Sequence, residues 1–265
     1  MKEIISDYLL KFRLKGMQSS FLRQVQDLNY NSLSFEERLL DILKSEEIDR
    51  MNKKIASNLK LSRIKDRQAR MQDIDYSVNR GLDKSVFLSL SGNYLNNKKN
   101  IIITGPTGTG KSFLSQCLAL KAIYDGHTSR YYRFTGLFSD IKLSALDSSY
   151  GSFLARLSRF NVLVIDDFGI NPLTSEEASI FLDILEERTE GGTVITSQLP
   201  VKEWYDLLNN ATAADAILDR LIYNSYDIKL KGESMRKIKS KKDEIEEDLR
   251  SSSMPGKTVA KNNTV

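Results

Sequence analysis

From Asn100 onward, short apolar runs rich in Ile and Val alternate with longer stretches whose apolar positions recur every three or four residues. The first pattern predicts buried strands and the second helices. Their alternation predicts a parallel sheet with helices on both faces. Strands are expected at residues 100–104, 130–134, 161–166, 193–197 and 227–230. Helices are expected at 111–124, 137–146, 176–190 and roughly 213–222. Residues 1 to about 70 carry no Pro and a single Gly, Gly16, and read as helical throughout. Apolar positions recur at Ile5, Leu9 and Phe12, then at Met17, Phe21, Val25 and Leu28. A third helix is expected after Ser34, capped by its hydroxyl with Glu37 three residues on, and carrying Leu39, Leu40, Leu43, Ile48 and Met51. These helices are expected to form a small domain over 1–72, followed by an α/β domain over 73–240. The Ser/Lys/Asn-rich remainder, 241–265, reads as a disordered tail.

Composition narrows the class without choosing within it. At 265 residues the chain has room for one α/β domain and a small second one. No apolar run approaches the roughly 20 residues of a membrane span, and charges interrupt the apolar positions of the first residues, so no membrane association or secretion is expected. A lone cysteine, Cys117, permits no internal disulfide, which fits a reducing cytoplasm. With one histidine, His127, there is no zinc constellation to read.

The net charge of +4 matters less than where the charge sits. Residues 53–70 hold seven cations against one acid, Asp66. Lys53, Lys60, Arg63, Arg67 and Arg70 are spaced to share one face of a continuing helix, with Ile48, Met51, Ile55 and Leu59 beside them. Such a cationic ridge is either a solvated face or a nucleic-acid contact, and the near absence of acids favours nucleic acid. Lys142, Arg156 and Arg159 are further, weaker candidate contacts, since isolated basic residues are mostly solvated.

The chemistry begins at the run IIITGPTGTGKS, which fits G-x-x-x-x-G-K-[ST] at Gly105, Gly110, Lys111 and Ser112. A glycine-rich turn lets backbone N–H groups converge on phosphates, and the following helix N-terminus adds partial positive charge. Gly105, Pro106, Thr107, Gly108, Thr109, Gly110, Lys111, Ser112 and Phe113 are therefore expected around a nucleoside triphosphate. Lys111 is placed to reach the β/γ-phosphates and the Ser112 hydroxyl to ligate Mg²⁺. In NVLVIDDFG a buried strand ends in two acids. Asp166 is expected to organise Mg²⁺ and Asp167 to polarise an attacking water. GTVITSQLP supplies a third strand ending in Gln198, placed to orient the water or touch the γ-phosphate. Arg220, on a helix amid apolar residues, and Arg236, after the fifth strand, could complete a site in cis or from a neighbouring subunit.

These elements together resemble the AAA+ ATPases. The wording of LKGM, GPTGTGKS, VIDDFG, ITSQLP, ILDRL and LKGESMRK resembles the IstB family, the helper ATPases of IS21-type transposons, over roughly residues 5–240. The resemblance implies a five-stranded AAA+ P-loop sheet, ATP and Mg²⁺ as cofactors, and homo-oligomeric assembly as a ring or helical filament on duplex DNA. It further implies work with a transposase in target selection. It makes Arg220 the arginine finger and Gln198 the sensor. Asp at 167, shorter than the Glu usual in AAA+ proteins, implies slow intrinsic hydrolysis, stimulated by DNA or a partner. Only some 35 residues follow Leu230, too few for a full helical lid, which weakens the expected contact of Arg236 with nucleotide. The rival readings are a DnaC-like replicative helicase loader, favouring single strands, and a nucleotide-regulated DNA-binding protein with negligible turnover.

Overall fold

A computed structural model describes residues 1–241 and 244. Five strands form one fully parallel sheet: β1 (Asn100–Thr104), β2 (Ser129–Arg133), β3 (Val162–Phe168), β4 (Gly192–Ser197) and β5 (Ser225–Lys229). Their spatial order is β2-β3-β4-β1-β5. The expected strands are all present, displaced by a residue or two at their ends.

Alternation along the strands divides the core in two. Ile101, Ile103, Val162, Val164 and Val194 face one layer, in which Leu114, Leu118 and Ile123 of α5 (Lys111–Tyr124) join Phe87 and Leu90 of α4 (Lys84–Asn93). Ile102, Leu163, Ile165 and Ile195 face the other, built from α6 (Phe134–Leu146), α7 (Tyr150–Ser158), α8 (Ser175–Glu186) and α9 (Ala211–Ile222). Burial on both faces is why these strands read as continuous apolar runs rather than alternating ones.

Two of these helices were not expected: α4, capped by Asp83, and α7, whose Phe153 and Leu157 turn inward one helical turn apart. The helix expected over 176–190 ends at Glu186. Just beyond it, the buried Arg188 turns inward to donate to the carbonyls of Leu157, Phe160 and Gly192 at 2.8, 3.0 and 3.0 Å. Burial pushes that guanidinium down to about 10, still charged at neutral pH.

Upstream lie α1 (Lys2–Lys11), α2 (Lys15–Gln26) and α3 (Phe35–Leu61). The Ser34–Glu37 capping box starts α3 as expected. The expected apolar packing of these helices is corrected. No apolar side chain in the three is fully buried; the buried residues are Gly16, Ser20, Gln24, Glu46 and Asn58. Gly16 lets α2 cross α3 closely, since a Cβ there would lie 2.4 Å from the Ser45 carbonyl oxygen. The Gly16 and Met17 N–H groups donate to the Glu46 carboxylate at 2.8 and 3.2 Å, and Ser20 Oγ donates to Asp41 at 2.7 Å. Leu39, Leu40, Leu43, Ile48 and Met51 remain exposed, whereas Ile55 and Leu59 pack against the sheet's first core layer.

The expected single-helix ridge is also corrected. The helix α3 stops at Leu61, because its last carbonyls are taken by β2: Arg130 donates to Leu61 O at 2.6 Å and Tyr131 N–H to Ser62 O at 2.7 Å. Arg63 follows with φ +55. Lys53 and Lys60 therefore lie on α3, while Arg63, Arg67 and Arg70 follow on irregular chain that passes from β2 to α5, where Asp66 N–H donates to Gln116 and Cys117 to the Arg70 carbonyl. The tail expected over 241–265 lies outside the described residues apart from 241 and 244. Among the described residues no helix is long and apolar enough to cross a membrane.

Candidate functional site

The strands β1, β3 and β4 deliver their polar ends to one edge of the sheet, the carboxyl edge where open parallel sheets bind ligands. The phosphate loop leaves β1 with Gly105, Gly108 and Gly110 at φ +145, +86 and +97, values that L side chains rarely adopt. Gly110 is the N-cap of α5 and no side chain caps that helix, so its first N–H groups stay available to an anion.

Lys111 is buried, and its ammonium donates to the Gly105 and Pro106 carbonyls at 2.7 and 2.8 Å. Burial lowers its pKa, and the charges of Asp167 and Asp166 work against that shift. The Ser112 hydroxyl donates to Asp166 Oδ1 at 2.9 Å. That spacing suits Mg²⁺, because adjacent ligands on an octahedral ion with bonds of about 2.0–2.1 Å stand about 2.9 Å apart. Two hard protein oxygens, with the remaining positions left for phosphate and water, are the donor set Mg²⁺ usually takes. Asp166 also accepts from Thr196 Oγ1, and its other oxygen from the buried Tyr131 hydroxyl. Burial and the Asp166 carboxylate together push the Tyr131 phenol upward, so it stays a donor.

Asp167 stands apart from its neighbour. The pairing of β3 with β4 slips between Ile165 and Phe168, and Asp167 takes φ +61 with its N–H on Thr196 Oγ1 at 3.1 Å. This bulge turns the carboxylate into the cleft, where Arg133 grips one oxygen through Nε and Nη2 at 3.1 and 2.7 Å. The hydrogen bond to Asp167 raises the Arg133 pKa further. Gln198 Oε1 accepts from Thr107 Oγ1 at 2.8 Å, tying the end of β4 to the phosphate loop.

A cleft of about 860 Å³ joins these groups, lined by Thr107, Gly108, Gly110, Lys111, Ser112, Phe113, Arg133, Asp167, Gln198 and Arg236 among others. Arg236 sits at the start of a helical stretch, residues 235–241, whose Met235 N–H donates to Gly108 O at 2.8 Å. The geometry thus brings together the expected loop residues, acids, Gln198 and Arg236.

Arg220 is elsewhere. It lines a separate cavity of about 360 Å³ with Lys98, Asn100, Glu186 and Arg188, and none of the residues lining it lines the phosphate-loop cleft. Asn100, at the start of β1, donates to the Arg220 carbonyl at 3.0 Å. The phosphate loop leaves the other end of that strand, roughly 13 Å away. Arg220 Nη2 pairs with Glu186 at 2.6 Å, leaving the guanidinium partly exposed.

The basic residues are dispersed. Lys53 pairs with Asp49, Arg63 with Asp140, and Lys142 with Glu177 at 3.0 Å, while Lys60, Arg67 and Arg70 are exposed. Arg63 and Arg130 lie over the Tyr132 ring, 5.3 and 5.0 Å from its centroid.

Sequence reasoning missed Arg80, Tyr131 and Arg133. Arg133 and Tyr131 alternate along β2, which reads only as a strand with charged ends. Thr196, in the polar strand end Thr196-Ser197-Gln198, stands between the two acids, donating to Asp166 and accepting from the Asp167 N–H.

Comparison with known proteins agrees with this geometry. Residues 8–243 match the family described as IstB-like ATP binding protein. The chain is 37% identical over 238 residues to the insertion sequence ATP-binding protein y4pL of Sinorhizobium fredii, across 89% of this chain and 97% of that one. It is 31% identical over 206 residues to the insertion sequence IS21 ATP-binding protein of Pseudomonas aeruginosa, across 77% of each. Among solved structures the crystal structure of the DnaI superposes with a TM-score of 0.54 at 22% identity, covering 62% of this chain and 92% of that one. That likeness is one of fold, the AAA+ sheet with its flanking helices.

Proposed function

This chain belongs to the IstB-like ATP-binding protein family, and on that premise we propose that it is an ATPase that assembles on duplex DNA as a transposition helper. It would serve a transposase in selecting the target. The observation that carries the reading is the separation of Arg220 from its own phosphate loop. In the cleft that gathers Lys111, Ser112, Asp166, Asp167 and Gln198, Arg80 is held on the Thr109 carbonyl, Arg133 on Asp167 and Arg236 on the stretch after β5, while Arg220, the arginine expected to stabilise transition-state charge, is partly exposed on another face. A head-to-tail neighbour supplies that arginine, and a non-closing rotation between copies yields a filament while a closing one yields a ring.

Within the site, Lys111 leaves the Gly105 and Pro106 carbonyls for the phosphates, and Ser112 and Asp166 hold Mg²⁺. When bound, that ion neutralises phosphate charge. Asp167 polarises the attacking water, and Gln198 orients it or contacts the γ-phosphate from the adjoining strand. Arg236 approaches the nucleotide from the helical stretch after β5. The bidentate grip of Arg133 on Asp167 accounts for slow intrinsic turnover, since a carboxylate oxygen committed to a guanidinium is a poorer base. DNA or a partner that draws Arg133 aside would stimulate hydrolysis.

The helical region, residues 1–72, serves assembly and DNA contact, and residues 73–240 the ATPase. Lys53, Lys60, Arg63, Arg67, Arg70 and Lys142 approach duplex phosphates. The apolar positions that α1–α3 leave exposed provide assembly surface. The test is assembly size and phosphate release with ATP on random duplex, on single-stranded DNA and without DNA. Salt-sensitive assembly on duplex with raised turnover is expected. Assembly confined to single strands would contradict the reading and favour a helicase loader.

A further inference from the structure

Residues 66–80 run along the nucleotide cleft, and Arg80 is their most buried cation, at 3% exposure. Its Nη1 donates to the Thr109 carbonyl at 2.8 Å and its Nη2 to the Asp75 carbonyl at 3.3 Å, while its buried Nε has no hydrogen-bond partner. Burial lowers the guanidinium pKa, with the Asp75 charge opposing; an arginine so placed stays protonated. Its backbone is fixed at the end of β5. Lys231 N–H donates to Arg80 O at 2.8 Å, and a Cβ on Gly81, at φ +77, would lie 2.7 Å from Lys229 O.

The Thr109 carbonyl and the Gly110 N–H belong to one planar trans peptide and point in opposite directions. A donor locked onto the carbonyl therefore aims the N–H away from itself, toward the open side of the loop. Gly110 is also where the guanidinium needs room, because a Cβ there would stand 2.5 Å from Arg80 Nη1. The preceding Gly108 carbonyl is held by Met235 N–H at 2.8 Å. Two carbonyls of the phosphate loop are thus anchored by chain upstream of β1 and downstream of β5.

We propose that Arg80 is a positioning residue for the nucleotide's phosphates: it locks the Thr109–Gly110 peptide with its N–H toward the cradle and sets a buried positive charge behind the loop. The inference rests on the reading of this cleft as an ATP site. A contact to the phosphates shared by di- and triphosphate serves both ligands alike, so Arg80 governs affinity rather than the chemical step.

The test uses the full chain with fluorescent ATP and ADP analogues and Mg²⁺. Arg80→Gln is expected to weaken both analogues by about 10-fold or more, the loss of a charge-assisted hydrogen bond. Their affinity ratio, the ligand-free melting temperature and turnover at saturating ATP should stay near wild type, so KM rises without kcat. Arg80→Lys, which keeps the charge and a donor, is expected to bind within about threefold of wild type. A glutamine variant that binds both analogues normally, or that does not fold, overturns the proposal. A lysine variant as weak as the glutamine one also overturns it. Wild-type protein that binds neither analogue overturns the reading of the cleft, and the role of Arg80 with it.

Discussion

The phosphate-loop edge of the sheet and the helices α1–α3 are built on opposite plans. At the edge, apolar strands are sealed on both faces and lift a few polar groups into a cleft, each tied to another by a named hydrogen bond. Asp166 alone accepts from Ser112, Thr196 and Tyr131. In the helices the seam is polar, Gly16, Ser20 and Gln24 against Asp41 and Glu46, and the larger apolar side chains face outward. One region gathers its polar groups within a single chain, with Arg220 standing apart from them. The other leaves its larger apolar side chains at the surface.

The contrast can be broken most sharply at Lys111. Lys111→Ala should lower phosphate release by about 100-fold or more by removing an electrostatic contact to developing charge. The melting of α1–α3 should stay unchanged, and a joint loss would mean the two regions are not separate. Next in size, Gly16→Val should destabilise the α2–α3 crossing by about 1–3 kcal/mol through overpacking. Circular dichroism would follow that loss and sedimentation the assembly, while nucleotide affinity stays at wild type.

A smaller effect, of opposite sign, is expected at Arg133. Arg133→Ala should raise DNA-independent phosphate release by roughly 3- to 10-fold, because freeing Asp167 returns on the order of 1 kcal/mol to its function as a base. A fall in turnover would make Arg133 part of the catalytic machinery instead. Acid should act on the helical seam. Asp41 is held below the ordinary carboxylate range by the Ser20 hydroxyl, and Glu46 by its hydrogen bond from Arg50. A depressed folded-state pKa contributes stability that is present above the unfolded pKa and lost as pH falls through the folded one. The α2–α3 seam should therefore loosen below about pH 4, and Asp41→Asn should flatten that dependence in thermal melts. Smallest of all, replacing Lys60, Arg67 or Arg70 with Gln should each lower the salt slope of duplex binding by about one.

What the sequence disclosed follows the same division. The strand runs, the phosphate loop, the Asp166–Asp167 pair and Gln198 were legible because their chemistry is encoded within a few residues of itself. Arg133 and Arg80 were not, since each acts on a partner that only the folded sheet brings near: Asp167 across the β2–β3 pair, and Thr109 from beyond α4. The helical ridge failed for a physical reason too. Charge spacing over residues 53–70 assumes an unbroken helix, whereas Arg130 and the Tyr131 N–H capture its last carbonyls and turn the chain along β2. Apolar periodicity in α1–α3 identified which residues share a face and said nothing of what covers it.

The most direct test of the central claim mixes two disabled copies, Lys111→Ala and Arg220→Ala, in equal amounts on duplex DNA. Neither alone should release phosphate above background. In a head-to-tail assembly a mixed pair can still join an intact phosphate loop to an intact arginine, so the mixture should recover about one quarter of wild-type turnover. A mixture that assembles yet stays at background, or an Arg220→Ala protein active by itself, would contradict a site shared between copies.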